Sequence, residues 1–209
     1  FLARKTAAGE TVGAALMRNF AFVVRSGQAF AREAAAAHLI ALQPGQKVGQ
    51  WRDSEDGLAG GRYPYDVNAV FMPAALRDIA RLRRAGLLAP YPDPARQPGF
   101  ADVEASAAAW EKHAPPLFGV SLEAATARED VARYARAQGI DPAAALASLP
   151  RTALRFHALS LDAEGRPIRV LHSDDGFALL FGHPPAAELD ATVETMLRPF
   201  PAGLLTDVG

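Results

Sequence analysis

Apolar positions recur at helical spacing over the first part of the chain. Between residues 10 and 37 they follow one another at intervals of three or four: Val12, Leu16, Phe20 and Val23. This periodicity predicts a buried amphipathic helix. Ser26 and Gly27 favour a break of that helix into two pieces, because serine and glycine both weaken a helix interior.

A second helical pattern covers residues 66–84. Its apolar face holds Met72, Leu76, Ile79 and Leu82, while arginines occupy the opposite face. Gly86 provides a stop for this helix, because glycine readily takes the left-handed conformation that closes a helix end. Pro73 is expected to kink it, since proline lacks the backbone N–H that a helix interior uses.

The remaining segments alternate between helical and β-favouring patterns. Helices are predicted over residues 101–113, 127–138 and 186–197, and β-favouring stretches over residues 117–122, 154–161 and 167–171. Residues 89–99 hold four prolines and predict an irregular surface connection. Ala163, Glu164 and Gly165 predict a hairpin turn between the last two β stretches.

These elements together predict a mainly α fold. Periodic helical segments separated by glycine- and proline-rich loops are typical of packed αα-hairpins rather than of a parallel sheet. We therefore expect antiparallel helix pairs together with one small β-hairpin centred on Glu164 and Gly165.

Composition and charge exclude several classes of partner. The 209 residues carry 22 basic and 23 acidic side chains, a formal net charge of -1, and no basic field that would attract nucleic acid or an anionic membrane. No apolar run approaches the roughly 20 residues that span a bilayer, so we expect a soluble protein with neither nucleic acid nor membrane as its partner. Cysteine is absent, which leaves cytoplasm and periplasm equally open. The 45 alanines and 19 arginines against three lysines are typical of a GC-rich bacterial genome.

Candidate chemistry concentrates in residues 49–70, where acids, arginines, aromatic residues and glycines precede the second helix. Sugar rings offer apolar faces that stack on aromatic rings, and hydroxyls that bond to carboxylates, Arg and Asn. Cleavage of a glycosidic bond needs one carboxylic acid and a second carboxylate. The candidate site residues of this segment are Trp51, Arg52, Asp53, Arg62, Tyr63, Tyr65, Asp66 and Asn68.

A structural interpretation of the same segment stands beside the functional one. Asp66 is well placed as an N-cap of the second helix, with Pro64 setting the approach. Glu55 and Asp56 suit solvated loop positions, and Asn68 suits a buried polar group that ties the helix start to a neighbouring loop.

The order of these residues resembles one family of glycosidases. Trp51-x-Asp53 followed by residues 64–69, Pro-Tyr-Asp-Val-Asn-Ala, looks like the active-site segment of six-hairpin glycoside hydrolases, which include glycogen-debranching amylo-α-1,6-glucosidases, trehalases and processing α-glucosidases. The resemblance implies an (α/α)6 toroid, inverting hydrolysis of α-linked gluco-oligosaccharides or related glycans, and no cofactor. It assigns the general acid to Asp53, which we expect to be partly buried beside Trp51 with a raised pKa.

The resemblance also implies that residues 1–209 are a single segment of the catalytic domain, incomplete at both ends. The catalytic base of the family comes late in the toroid, so it is expected beyond Gly209. Within the chain, Asp174 and Asp175 form the other acidic loop of suitable character and are candidates for substrate binding. A simple turn is the favoured alternative, because Asp-Gly is a common turn sequence.

A second class of function fits the same residues: a helical carbohydrate-binding or scaffold protein without turnover. Other chemistry is less well supported. The histidines show no pair at zinc-ligand spacing, and neither a P-loop, a dinucleotide fingerprint nor a Gly-x-Ser-x-Gly elbow occurs. A metal site is therefore not expected.

Overall fold

The computed structural model describes residues 1–52, 54, 56–91 and 100–208. Over these residues the chain forms seven α-helices: α1 (Val12–Arg32), α2 (Met72–Arg84), α3 (Val103–Leu117), α4 (Ala124–Ala137), α5 (Ala143–Ser148), α6 (Asp175–Phe181) and α7 (Ala186–Leu197). The five short strands in the same residues are β1 (Tyr63–Pro64), β2 (Gly119–Leu122), β3 (Leu154–His157), β4 (Ser160–Leu161) and β5 (Pro167–Ile168). The prediction of a mainly α protein with a small antiparallel sheet is confirmed.

Helix α1 is continuous from Val12 to Arg32, without the interruption that Ser26 and Gly27 favour. Its first turn is capped by Thr11, whose hydroxyl accepts a hydrogen bond from the backbone N–H of Ala14 at 3.2 Å. Gly27 is buried inside the helix, and its missing side chain lets the indole of Trp110 approach, because a Cβ there would lie 3.2 Å from the indole nitrogen. Tertiary packing therefore outweighs the low helix propensity of glycine.

The second predicted helix has an irregular start. Residues Asp66–Phe71 form a π-helical turn, and regular α-helix follows from Met72. Pro73 is the second residue of α2, a position where the missing N–H of proline costs little. Pro73 therefore lies in the first turn of α2 instead of in the helix interior where a kink was expected.

The chain divides into two compact units. Unit 1 comprises Phe1–Ala41 and Val67–Pro116, and unit 2 comprises Leu42–Asp66 and Leu117–Gly209. In unit 1 the indole of Trp110 is fully buried and lies with its ring centroid 4.4 Å from that of Phe30. The indole N–H donates to the carbonyl of Gly27 at 2.9 Å, which joins α3 to α1.

Unit 2 contains two small antiparallel sheets. In one, β1, β4 and β5 are neighbours in that order, with Tyr63 opposite Leu161 and Ser160 opposite Ile168. The pairing of β4 with β5 confirms the predicted hairpin turn. The second sheet pairs β2 with β3, placing Gly119 opposite His157. Strand β1 was not predicted, because two residues are too few to show a periodic pattern.

Helices α4 and α5 pack on the second sheet of unit 2. Their small apolar core is Ala127, Ala145, Leu149, Leu154 and Ala202. Helices α5 and α6, of six and seven residues, were not predicted, since runs of that length carry less than two turns of periodicity. In the part of the chain that the structure describes, no helix has the length and apolar character needed to cross a membrane.

Candidate functional site

A buried ion pair joins two loops of unit 2 that are far apart in sequence. Arg52 donates from Nε to Oδ2 of Asp174 at 3.2 Å and from a terminal nitrogen to Oδ1 at 2.7 Å. The side chain of Asp174 is 1% exposed and that of Arg52 is 24% exposed. Two parallel hydrogen bonds of this kind fix both the distance and the orientation of the guanidinium group.

Trp51 lies at the surface beside this ion pair. The guanidinium carbon of Arg52 lies 4.7 Å from the centroid of the Trp51 ring, and the ring of Phe177 meets it edge-on at 5.6 Å and 85°. Trp51 is nevertheless 52% exposed. We call Trp51, Arg52 and Phe177 the aromatic platform. Arg52 and Phe177 contact the exposed indole of Trp51 and hold it in place.

A second ion pair lies among buried aromatic rings. Nδ1 of His157, the last residue of β3, is 2.9 Å from Oδ1 of Asp175, the first residue of α6. The hydroxyl oxygen of Tyr65 is 3.4 Å from the same nitrogen, and the two rings stack at 5.1 Å and 24°. Tyr65 also contacts Phe118 edge-on at 5.5 Å, so its ring is enclosed on several sides.

His172 completes this cluster. Its Nε2 lies 3.1 Å from the carbonyl oxygen of His157, and its Nδ1 accepts a hydrogen bond of 3.1 Å from the backbone N–H of Asp174. Because a carbonyl can only accept and an N–H can only donate, these bonds assign the neutral tautomer with the proton on Nε2. His172 thereby links β3 to the start of α6.

The ionisation of the His157–Asp175 pair follows from its surroundings. Burial lowers the pKa of His157, but the hydrogen bond and the negative charge of Asp175 outweigh burial and raise that pKa above its usual value. Burial raises the pKa of Asp175, while hydrogen bonding and charge from His157 outweigh it and lower that pKa. Both groups are therefore stabilised in their charged forms.

The other two titratable groups of the cluster are stabilised in their neutral forms. Burial is the main reason that the pKa of His172 is lowered, which agrees with the tautomer assigned from its hydrogen bonds. Burial, and after it the charge of Asp175, raise the pKa of Tyr65 far above its ordinary value. The cluster therefore favours a charged His157–Asp175 pair beside a neutral His172 and a neutral Tyr65.

This arrangement can hold a proton and bind a polar ligand at its edge. The side chain of His157 is 20% exposed, whereas that of Asp175 is 10% exposed. A partly exposed imidazolium, fixed by a buried carboxylate, is able to donate a hydrogen bond to a hydroxyl or an anion.

The structure brings together five of the residues selected from the sequence: Trp51, Arg52, Tyr65, Asp174 and Asp175. Arg62 and Tyr63 contact each other, with the guanidinium carbon 5.9 Å from the ring centroid. Asp66 is buried at the start of the π-helical turn. Asp53, the expected general acid, and Glu55 lie outside the described residues.

Asn68 is bonded to the backbone of Ile40 within unit 1. Its Oδ1 accepts from the N–H of Ile40 at 2.7 Å, and its Nδ2 donates to the carbonyl oxygen of Ile40 at 3.0 Å. Since Asn68 is fully buried, this pairing matches the structural interpretation in which Asn68 ties the helix start to a neighbouring loop.

Sequence reasoning did not select His157, His172 or Phe177 as site residues. His172 and Phe177 flank the Asp174–Asp175 pair, so their closeness to that acidic loop was a usable signal. His157 ends an ordinary β stretch, and no spacing in the sequence links it to Tyr65 or Asp175. Among the described residues, no group of three or more histidine or acidic side chains is arranged to hold a metal ion.

Comparison with known proteins identifies no relative of this chain. The chain matches no protein-family model, no curated protein and no solved structure.

Proposed function

We propose that this chain belongs to a glycoside hydrolase of the six-hairpin kind, which cleaves an α-linked gluco-oligosaccharide or a related glycan with inversion. In this proposal the substrate stacks on Trp51, and Asp53 protonates the glycosidic oxygen as the general acid. The remainder of the toroid supplies the catalytic base, and the reaction needs no cofactor.

The observation that carries the proposal is the aromatic platform. Trp51 presents a half-exposed indole whose position is set by Arg52 and Phe177, and Arg52 is in turn held by the buried carboxylate of Asp174. A fixed, exposed aromatic ring is suited to the apolar face of a sugar. Asp53 is only two residues further along the chain, so an acid follows the stacking ring in the order that the family motif has.

The helical fold supports the toroid part of the proposal. Within unit 2, short connections join α4 to α5 and α6 to α7, and short connections between successive helices are what a barrel of αα-hairpins requires. Unit 2 also exposes a group of large apolar side chains, as expected where further hairpins of a toroid pack against it. These side chains are Leu179, Leu180, Phe181, Leu189, Val193, Leu197, Phe200 and Leu205.

The roles of the other candidates follow from their contacts. Tyr65 is buried among aromatic rings, so within this proposal stacking on the sugar belongs to Trp51 and Tyr65 supports the His157–Asp175 pair. Arg62 is exposed and remains available for sugar hydroxyls, with Tyr63 beneath it. Asp174 and Asp175 are buried, and they hold the surrounding chain through Arg52 and His157.

A second candidate function is carbohydrate binding without turnover. The aromatic platform favours it, because Trp51, Arg52 and Phe177 form a stacking surface that does not require an acid. The two functions differ in whether hydrolysis follows binding.

The test is a combined binding and hydrolysis screen of the full-length gene product against α-linked gluco-oligosaccharides, trehalose and manno-oligosaccharides. We expect an α-linked substrate to be cleaved, with the β-anomer as the first product in proton NMR, because inversion changes the configuration of the anomeric carbon. Asp53→Asn should lower kcat by several orders of magnitude at unchanged thermal stability.

Asp56→Asn is the matched control, since Asp56 is an exposed acid of the same loop. Binding without any hydrolysis would favour the carbohydrate-binding function. An enzyme that neither binds nor cleaves these sugars, or an Asp53→Asn variant with normal kcat, would contradict the glycosidase proposal.

A further inference from the structure

We infer that Asp174 is the positioning residue of the aromatic platform and that Arg52 recognises no sugar hydroxyl, serving instead as the link between Asp174 and Trp51. This inference rests on the proposed function, because it specifies how the sugar-stacking surface is built. According to this inference, the platform binds the apolar face of a pyranose ring. It does not bind the sugar through a charge or through hydroxyl groups.

The first step is the strength of the link between Asp174 and Arg52. The carboxylate of Asp174 is almost completely buried, and each of its oxygens accepts a hydrogen bond from Arg52. A buried carboxylate without a counter-charge is strongly disfavoured. Arg52 is therefore held in place by the requirement of Asp174 for a partner.

The second step is that Asp174 is itself fixed. Its backbone N–H donates to Nδ1 of His172, and Nε2 of His172 donates to the carbonyl of His157 at the end of β3. The next residue, Asp175, begins α6 and bonds to His157. The anchor of Arg52 thus belongs to a strand and a helix of unit 2 rather than to a free loop.

The third step concerns the face of the indole. The guanidinium group lies 4.7 Å from the centroid of the Trp51 ring, at a distance typical of cation–π contacts. Two of its three nitrogens bond to Asp174, and its planar group covers the ring. Phe177 also contacts the Trp51 ring, in an edge-on arrangement, so that both Arg52 and Phe177 support the indole. About half of the surface of Trp51 nevertheless stays in solvent.

The consequence is a chain of contacts from a buried acid to an exposed ring. Removing the charge of Asp174 releases Arg52, and release of Arg52 allows the indole to adopt other rotamers. A ligand that stacks on Trp51 must then order the ring during binding, which weakens affinity.

The experiment compares Asp174→Asn with the wild type in two measurements. The first is acrylamide quenching of tryptophan fluorescence, which reports on Trp51 because Trp110 is fully buried. The second is the dissociation constant for maltoheptaose, measured by calorimetry. The matched control is Asp78→Asn, which removes the acid of an exposed ion pair with Arg81 on α2.

We expect Asp174→Asn to raise the quenching constant of Trp51 and to weaken maltoheptaose binding about tenfold, whereas Asp78→Asn leaves both unchanged. Arg52→Lys provides a second variant that keeps the ion pair but loses the planar fork. It should change the quenching constant in the same direction, and it keeps the test valid if Asp174→Asn does not fold.

The two ideas fail in different ways. If the folded wild type does not bind maltoheptaose or another α-linked glucan, the proposed function fails, while the quenching data still decide the role of Asp174. The inference is overturned if a folded Asp174→Asn protein shows unchanged quenching and unchanged affinity. If only Arg52→Lys folds, unchanged quenching in that variant overturns it.

Discussion

Nδ1 of His157 lies 2.9 Å from Oδ1 of Asp175, although 18 residues separate them. The pair joins the end of β3 to the first turn of α6 and lies against the ring of Tyr65. Because the partners are mostly buried, each depends on the other for compensation of its charge. The stability of unit 2 is therefore linked to pH.

The sign of this linkage follows from the pKa shifts. The pKa of His157 is raised from 6.5, so its contribution is fully present below pH 6.5 and is lost as the pH rises through the folded pKa. The pKa of Asp175 is lowered from 3.8, so its contribution is present above pH 3.8 and is lost as the pH falls through the folded pKa. The pair stabilises most between pH 3.8 and 6.5.

We expect His157→Gln to cost more free energy of unfolding near pH 6 than near pH 8.5, because the imidazolium form is stabilised only at the lower pH. Urea denaturation at both values measures the difference. The control is His113→Gln, since His113 is exposed on α3. An equal cost of His157→Gln at both pH values would show that the pair is not charged as described.

His172 should show the opposite behaviour in a proton NMR titration. Its pKa is lowered from 6.5, mainly by burial, so in the folded protein the ring takes up its proton at a lower pH than in the unfolded chain. Folded-state stability linked to His172 then falls as the pH drops below 6.5, because the unfolded chain takes up a proton that the folded chain does not. A pKa of His172 at or above that of His157 would contradict the neutral state assigned to the buried His172 ring.

The two tryptophans should separate stability from binding. Trp110→Phe should reduce the free energy of unfolding by about 2 kcal/mol, since it removes a buried N–H donor and leaves a gap in the core. Trp51→Phe should change stability by less than about 0.5 kcal/mol, because Trp51 is half exposed. Chemical denaturation measures the stability of both variants, and maltoheptaose binding measures their affinity. We expect a loss of affinity in Trp51→Phe only.

Gly61 is a position where no side chain fits. A Cβ at Gly61 would lie 1.9 Å from Oγ and 2.5 Å from Cβ of Ser160. We expect Gly61→Ala to destabilise by about 2 kcal/mol, as overpacked sites do. The double variant with Ser160→Gly should recover part of this loss, although it removes the hydrogen bond of the Ser160 hydroxyl to the carbonyl of Leu58.

Gly176 is the matched control for this prediction. It lies in the first turn of α6, and the nearest atom to an added Cβ is Cε of Met196 at 3.9 Å. Gly176→Ala should stabilise by about 0.5 kcal/mol, because alanine loses less backbone entropy in a helix. Thermal melts of both variants measure the contrast, and a neutral Gly61→Ala would refute the steric argument.

The role of Asn68 is tested by Asn68→Asp. An aspartate keeps the acceptor for the Ile40 N–H but loses the donor to the Ile40 carbonyl and buries a charge. We expect a loss of about 2–4 kcal/mol in the free energy of unfolding. Asn19→Asp on the exposed side of α1 should change stability little. A stable Asn68→Asp protein with altered sugar binding would favour a functional role instead.

Local patterns in the sequence determined most of the helices. The predicted helix over residues 186–197 coincides with α7, and the turn at residues 163–165 is the hairpin between β4 and β5. Both depend on periodicity or turn chemistry within a few residues, which a single sequence displays directly. Gly27 shows the limit of this approach, because it lies inside α1 and its partner Trp110 is 83 residues away in the sequence.

The sequence also marked the loops around Trp51 and Asp174 as unusual, from the types of residue that they hold. Only the tertiary structure decided that Arg52 pairs with Asp174, 122 residues further on, and that His157 and His172 enclose Tyr65. The physical reason is that a buried charge needs a partner of opposite charge. This need specifies the chemical type of the partner but not its position in the sequence. Chain topology alone selects which of the available partners meets it.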